Sequence, residues 1–247
     1  DLLKADRDNI SELRNTLFAT RETKEYKQVF NNKNPLVTVR IATYNRADAL
    51  VNTAIRSVLN QTYQNFEIII VGDACTDDTE KKIRELNDDR IQFINLPNRN
   101  IYPEDKTKRW LVAGSPGMNL GAYLARGEWI APLDDDDEFT PDHIEKLLSV
   151  ALKNKSELVY GALEQDNLDD NSTRTIWSDP PVFGGFSFQG AMYMKLLNFF
   201  QYDQQSWVVD EPGDWNLCRR MLLSGVYYSS TQDVIGRMNM IPVEKKK

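Results

Sequence analysis

Four consecutive aspartates, Asp134-Asp135-Asp136-Asp137, follow directly on the apolar run Trp129-Ile130-Ala131-Pro132-Leu133. Carboxylates about 5 Å apart repel by roughly 3 kcal/mol at an effective dielectric near 20, so such a cluster needs water or a cation. In extended chain Asp134 and Asp136 fall on one side, where they could share a hard cation such as Mg²⁺ or Mn²⁺, while Asp135 points elsewhere. The other use of the same residues is a solvated acidic turn ahead of a helix, where negative charge suits the macrodipole. A calcium loop is rejected. Asp134, Asp136 and Glu138 have the right spacing, but Phe139 stands where that loop needs Gly.

A carboxylate can also serve as a base. Asp214 precedes a helical pattern that carries Trp215, Cys218, Met221 and Leu222 on one side and stops at Gly225. An Asp there is ordinarily an N-cap, and the positive helix end would equally keep a catalytic carboxylate ionised. Asp210 and Glu211 are its neighbouring substitutes. Asp73 follows a second apolar run and either binds a ligand or caps the helix after Thr76. Lys106, Lys108 and Arg109 lie in a long polar stretch and either clamp an anion or are solvated. His143 is the single histidine and cannot build a His-rich metal site; a surface or packing role fits it best. Trp110, Trp177 and Trp207 could each stack on a ligand's apolar face, though most tryptophans simply pack. Neither phosphate-loop pattern, G-x-G-x-x-G nor G-x-x-x-x-G-K-[ST], occurs.

The elements that must position these residues read as an α/β domain. Leu36–Ala42, Phe66–Val71, Ile91–Ile94, Trp129–Leu133 and Leu158–Ala162 are short apolar runs expected to be strands. Between them come helical patterns over Leu50–Leu59, Asp78–Leu86 and Met118–Ala125, as in a parallel sheet covered on both faces. Thr140 is the expected N-cap, and Pro141 the first residue, of a further helix. Ligands of such sheets sit at the carboxyl ends of the strands, where Thr43, Tyr44, Asp73 and the aspartate run all fall. Beyond Ala162 the pattern fades: Asp166–Ser172 reads as a polar turn, and Gly184–Phe188 as a strand opening on a glycine bend.

The chain has 247 residues, 41% hydrophobic and 27% charged, enough for one full-sized core. A net charge of −7 with dispersed lysines and arginines disfavours nucleic acid. Cys75 and Cys218 form neither a zinc pattern nor a disulfide framework, which suits reducing cytosol. With no apolar run long enough to span a bilayer and no signal-like start, a soluble cytoplasmic chain is expected, with a peripheral place at the inner membrane face as an alternative. A first residue other than Met and three closing lysines fit a segment of a longer protein.

Three segments also carry a family resemblance: "VTVRIATYNR", "SVLNQTYQNFEIIIVGDACTDDT" and "NLGAYLARGEWIAPLDDDDEFTPDHIEKLL". In this order and at this spacing they resemble a family 2 glycosyltransferase of GT-A type, from about Pro35 to Ser224. The resemblance implies a Rossmann-like, mostly parallel sheet flanked by helices, with a smaller acceptor-side region. The charge and apolar spacing of 1–33 read as a charged helical arm, a candidate for self-association, and the resemblance divides the rest into a nucleotide-sugar half (34–162) and an acceptor and base half (163–247).

By the same resemblance Thr43, Tyr44, Arg46, Asp73, Asp134 and Asp135 bind the nucleotide, Asp73 accepting from a ring N–H of a uracil-like base. Asp136 with Asp134 holds Mn²⁺ or Mg²⁺, Lys108 and Arg109 form a diphosphate clamp, and "EPGDWNLCRRM" carries the catalytic Asp214. The implied reaction is an inverting transfer of one sugar, from a UDP-sugar by preference, to a carbohydrate or glycosylated hydroxyl acceptor in glycoprotein or cell-surface polysaccharide synthesis. The Gln-x-x-Arg-Trp signature of processive synthases is missing. The chain departs from the usual pattern at Gly72-Asp73-Ala74-Cys75, where Asp-Asp-Gly-Ser is the family form. Two alternatives stay open: a non-catalytic nucleotide- or partner-binding domain of this fold, and a sugar nucleotidyltransferase, which should carry a glycine-rich N-terminal loop.

Overall fold

Along β1 (Val37–Thr43) the apolar Val37, Val39 and Ile41 alternate with Thr38, Arg40 and Ala42, yet nearly every position is buried. Such a strand must be covered on both faces and paired on both edges. In the computed structural model, which describes residues 8–166 and 172–239, β1 runs parallel to β2 (Phe66–Gly72) on one side and to β4 (Trp129–Asp134) on the other. β3 (Ile91–Asn95) extends the parallel set beyond β2. The register pairs Thr43 with Gly72 and Ala42 with Asp134, so the candidate residues that follow each strand emerge at one edge of the sheet.

The second half of the sheet is mostly antiparallel. β5 (Glu138–Phe139), β6 (Leu158–Asp166), β7 (Thr173–Ile176), β8 (Ala191–Met194) and β9 (Tyr228–Met238) complete it, in the order β3-β2-β1-β4-β8-β6-β9-β5 with β7 on β6. Within it β6 and β9 run parallel, while β4–β8, β8–β6, β6–β7 and β9–β5 pair antiparallel.

Before β1 lie α1 (Ile10–Arg21) and α2 (Lys24–Val29). The helix of residues 47–59, here α3, joins β1 to β2 and is π-wound over Leu50–Ile55. Then follow α4 (Thr79–Glu85), α5 (Lys106–Val112), α6 (Ser115–Leu124), α7 (His143–Asn154) and α8 (Gly213–Ser224). α6 lies on β1 and β2 through glycines: a Cβ on Gly117 would stand 3.2 Å from the Ala42 Cβ, and one on Gly121 3.4 Å from the Arg40 Cβ. Small residues there let the helix settle directly on the sheet.

The charged N-terminal segment is packed against the body. Leu17 is fully buried, Arg21 forms a fork with Glu157 at 2.6 and 2.7 Å, and Arg219 reaches Asp8 at 2.6 Å. Two expectations change. α7 starts at His143, not at Pro141, because Thr140 gives its hydroxyl to Asp142 at 2.9 Å and its carbonyl to the His143 N–H. Gly184–Phe188 is no strand: the Gly185 N–H turns back to Val182, and the Phe188 N–H goes to Asp214 rather than to a neighbouring strand. The strand lies further on, at Ala191–Met194. α5, β5, β7 and β9 also lie outside the sequence reading. Most of the polar turn expected at 166–172 lies outside the described residues.

Candidate active site

At the carboxyl ends of β1, β2 and β4 a cleft of about 410 Å³ is lined by Thr43, Tyr44, Arg46, Asp73, Arg99, Arg109, Asp134, Asp135 and Asp136 among others. Nine residues singled out in the sequence, Trp110 among them, thus meet in one place. A second cavity, of about 420 Å³, adjoins it and is lined by Asp214, Ser187, Gln189, Trp215, Phe183 and Arg174 among others. Asp134, Trp110, Ala113 and Met118 line both, so the two cavities share a wall.

The aspartate run divides its work. Asp134 ends β4 and accepts a hydrogen bond from the Gln189 amide. Asp135 accepts from the Thr43 hydroxyl at 2.6 Å and from Arg46 Nη1 at 3.2 Å; the same nitrogen donates to Asp136 at 2.7 Å. Asp137 turns inward and accepts the Asn239 N–H at 2.9 Å. The alternation expected of extended chain, which turned Asp135 away from its neighbours, does not apply, because the chain leaves β4 in a turn and Asp134, Asp135 and Asp136 all face the cleft.

Burial dominates the electrostatics. It pushes the Asp134 carboxyl up to about 7, helped by the charges of Asp214, Asp136 and Asp135. Asp137 is pushed up to about 9, by burial and then by Asp134 and Asp136. Asp135 is raised as well, again by burial first, against the pull of Thr43 and Arg46. Arg46 pairs directly with Asp135 and Asp136, while Arg40 draws on Asp134 from further off. Crowded, desolvated carboxylate oxygens are the donor set that suits a hard divalent ion. Among the described residues no group of three or more His, Cys, Asp or Glu side chains forms a metal cage. The fit is therefore to an ion held by one or two carboxylates and completed by a ligand's phosphates.

Asp73 is almost fully buried; Oδ1 accepts from the Asn100 N–H at 2.9 Å and the Asn100 amide at 2.7 Å, and Oδ2 from the Tyr102 hydroxyl at 2.9 Å. It caps no helix; Asp77 instead accepts from the Thr79 N–H at 3.2 Å. The Arg99 guanidinium lies 3.4 Å over the Tyr44 ring. Of the expected clamp, Arg109 lines the cleft while donating to the Pro103 and Glu104 carbonyls at 3.0 Å. Lys108 lines neither cavity, since its ammonium sits over the Trp207 ring at 5.2 Å.

Asp214 is the second residue of α8 and makes no cap, as Pro212 holds the N-cap position. Its Oδ1 accepts from the Tyr202 hydroxyl at 3.0 Å, and its Oδ2 from the Ser187 hydroxyl and the Phe188 N–H at 3.1 Å each. Sequence reasoning missed Ser187, Gln189 and Tyr202. Gln189 left a signal, an amide inside the otherwise apolar Phe188–Met194; Tyr202 left none. His143 is fully buried, stacks on Phe139 at 3.5 Å and bonds through Nδ1 to the Ile235 carbonyl at 2.7 Å, which is a packing role.

The family model described as Glycosyl transferase family 2 matches residues 38–104 and 106–226, most of the chain. The chain belongs to glycosyl transferase family 2. It is 31% identical over 129 residues to the Escherichia coli UDP-Glc:alpha-D-GlcNAc-diphosphoundecaprenol beta-1,3-glucosyltransferase WfgD, covering 52% of this chain and 46% of that one. The chain spans less than half the length of the curated E. coli relatives it matches.

Among solved structures it is similar to S. aureus TarS 1-349 in complex with UDP-GlcNAc, with a TM-score of 0.67, 16% identity, and 84% of this chain and 59% of that one covered. It is also similar to the mannosyltransferase PcManGT from Pyrobaculum calidifontis in complex with GDP-Man and Mn²⁺, with a TM-score of 0.61, 15% identity, and 98% and 69% covered. These likenesses establish the GT-A fold. Within this family-2 chain the unusual Gly72-Asp73-Ala74-Cys75 has a local cause. A Cβ at Gly72 would stand 2.7 Å from Asn95 Oδ1, and that oxygen accepts the Cys75 N–H at 2.8 Å, so Asn95 fills the space a first acidic side chain would need.

Proposed function

We propose that the chain is a divalent-metal-dependent, inverting glycosyltransferase that moves one sugar from a nucleotide-sugar, UDP-linked by preference, to a hydroxyl of a carbohydrate acceptor in cell-surface polysaccharide synthesis. The observation that carries this reading is the shared wall at Asp134: a cleft rich in carboxylates opens onto a second cavity in which a fixed carboxylate, Asp214, waits. A donor in the first cavity and an acceptor in the second would meet there. The E. coli relative named for a UDP-Glc donor, and the neighbours bound to UDP-GlcNAc and to GDP-Man with Mn²⁺, support the donor class and the metal.

In this reading Tyr44, Asp73 and Thr43 hold the nucleoside. Asp73 Oδ2 has one close hydrogen-bond donor, the Tyr102 hydroxyl, and keeps a lone pair for a base N–H. Asp136 and Asp134 would hold Mn²⁺ or Mg²⁺, which when bound stabilises negative charge on the departing diphosphate. Asp214 takes the proton of the acceptor hydroxyl while that oxygen bonds to the anomeric carbon. The bond to the nucleoside diphosphate breaks on the opposite face, and the configuration inverts. Trp110, 70% exposed on the wall common to both cavities, and the edge-on pair Phe183 and Trp215 offer apolar faces to sugar rings.

A second reading, a non-catalytic nucleotide-binding domain, is favoured by one observation: Asn100 and Tyr102 already occupy Asp73. A thermal-shift screen of UDP, GDP, ADP and CMP with and without Mn²⁺, followed by transfer from the radiolabelled UDP-sugar to oligosaccharides, tests both. Stabilisation by UDP only with Mn²⁺, together with labelled product, is the expected result. Stabilisation without any turnover or hydrolysis favours the binding domain.

A further inference from the structure

Arg40 lies in the middle of β1, a strand paired on both edges, and is 1% exposed. A buried guanidinium ordinarily has a carboxylate against it. Among the described residues Arg40 makes no ion pair within 4.0 Å, and its Nε has no hydrogen-bond partner. What it has is Tyr202: Arg40 Nη2 donates to the Tyr202 hydroxyl at 2.8 Å, and the guanidinium lies 5.0 Å from that ring's centroid. The same hydroxyl donates onward to Asp214 Oδ1 at 3.0 Å. The close seat of α6, with Gly121 over Arg40, leaves the side chain its narrow path beneath the helix to reach this point.

From this geometry we infer that Arg40 and Tyr202 are positioning residues that act through Asp214, fixing the direction of its carboxylate and holding its negative charge in place beside the acceptor cavity. The inference rests on the reading of Asp214 as the base. Two fixed donors, the Tyr202 hydroxyl on Oδ1 and the Phe188 N–H on Oδ2, with the Ser187 hydroxyl shared between Asp214 and Gln189, leave the carboxylate little freedom to rotate. Ser187 holds the N-cap position of the 3₁₀ turn at Phe188–Gly190 and Phe188 opens it, whereas Tyr202 alone connects the carboxylate to a full positive charge. That charge matters because Asp134, buried in the shared wall, and Asp214 repel each other. Tyr193, also buried near Arg40, and Cys218, on the same helix as Asp214, carry no charge at neutral pH, as burial raises both. Arg40 is therefore the counter-charge of this corner, delivered through a hydroxyl rather than by direct contact, which leaves Asp214 free of an ion pair that would compete with the acceptor.

The test compares Tyr202→Phe, Arg40→Met, Arg40→Lys and Asp214→Asn in transfer from the labelled UDP-sugar with Mn²⁺. Tyr202→Phe and Arg40→Met are expected to lower kcat at least tenfold with donor KM within twofold of the parent. Arg40→Met leaves Asp134 and Asp214 without their counter-charge and is expected to melt earlier than the parent, so the stability control is Tyr202→Phe, which keeps the charge and should melt within a few degrees of the parent. Arg40→Lys should recover part of kcat. Loss of kcat without loss of stability in Tyr202→Phe separates positioning from a structural role, which would lower both. Should Arg40→Met fail to fold, Tyr202→Phe decides alone. Full kcat in Tyr202→Phe alongside an inactive Asp214→Asn would overturn this inference and leave the base reading standing. Full activity in Asp214→Asn would overturn both.

Discussion

The two sides of the cleft are built on different terms. On the proposed donor side, four parallel strands carry their chemistry at their own ends, so Thr43, Asp73 and Asp134 need no help from distant chain to reach the site. On the acceptor side, Asp214 is held by Tyr202, Ser187 and Phe188, which arrive from two irregular segments 12 to 27 residues away. The proposed donor side is a sheet edge lined with charged groups. The acceptor side is a set of loops that aims one carboxylate. This difference teaches that binding and turnover in this chain should be separable by single substitutions, which the following measurements can break or sharpen.

The largest effect is expected from Asp214→Asn, which should lower transfer by a hundredfold or more while Mn²⁺–UDP affinity stays within twofold of the parent. Because the new amide N–H₂ would face the Ser187 and Phe188 donors, a stability loss of about 1–3 kcal/mol should accompany it, read as an earlier denaturant midpoint. Retained turnover would remove Asp214 from the chemistry. Asp136→Asn should act on the other side: calorimetry should show Mn²⁺-dependent UDP affinity reduced at least tenfold, about 1.4 kcal/mol. An unchanged Mn²⁺ dependence would sink that assignment and with it the division between the two sides.

His143 offers a pH probe of the acceptor side alone. Burial depresses its pKa to about 4, from an ordinary value near 6.5, and its Nδ1 is tied to Ile235 of β9. With the folded value below the unfolded one, the unfolded chain binds the extra proton first. Stability is therefore fully present above about pH 6.5 and is lost as pH falls toward 4, by on the order of 3 kcal/mol. Hydrogen exchange at pH 5 should loosen β9 amides before those of β1, and His143→Gln should flatten the pH slope. Uniform protection across both halves would contradict this.

The smallest effect belongs to Ala74, which holds a left-handed φ of 59° just after Asp73. Ala74→Gly should stabilise by up to about 1 kcal/mol, since glycine removes the Cβ strain at some cost in chain entropy. A raised melting temperature with unchanged kcat would show that this turn only carries Asp73.

Much of the donor side was legible because its signals are contiguous. Phe66–Val71 and Trp129–Leu133 are apolar throughout, as strands buried on both faces must be, and the carboxylates follow them directly. The acceptor side was not. β9 reads Tyr-Ser-Ser-Thr-Gln-Asp before its apolar Val234 and Ile235, a composition that hides a half-exposed strand, and α5 is a short helix inside a polar stretch. Gly184–Phe188 has strand-like residues, yet Phe188 gives its N–H to Asp214.

Taken by itself, the sequence determined the α/β class, the order of strands and helices from Pro35 to Ala162 apart from α5 and β5, and which carboxylates gather at the strand ends, because hydrophobic period and strand polarity are local properties of the chain. Only the tertiary structure decided where those carboxylates point and what holds them. The turn after β4 set Asp135 beside Arg46, and the packing of α6 threaded Arg40 toward Tyr202 and, through it, Asp214. Such contacts join residues up to 162 positions apart, and close packing rather than any local pattern fixes them.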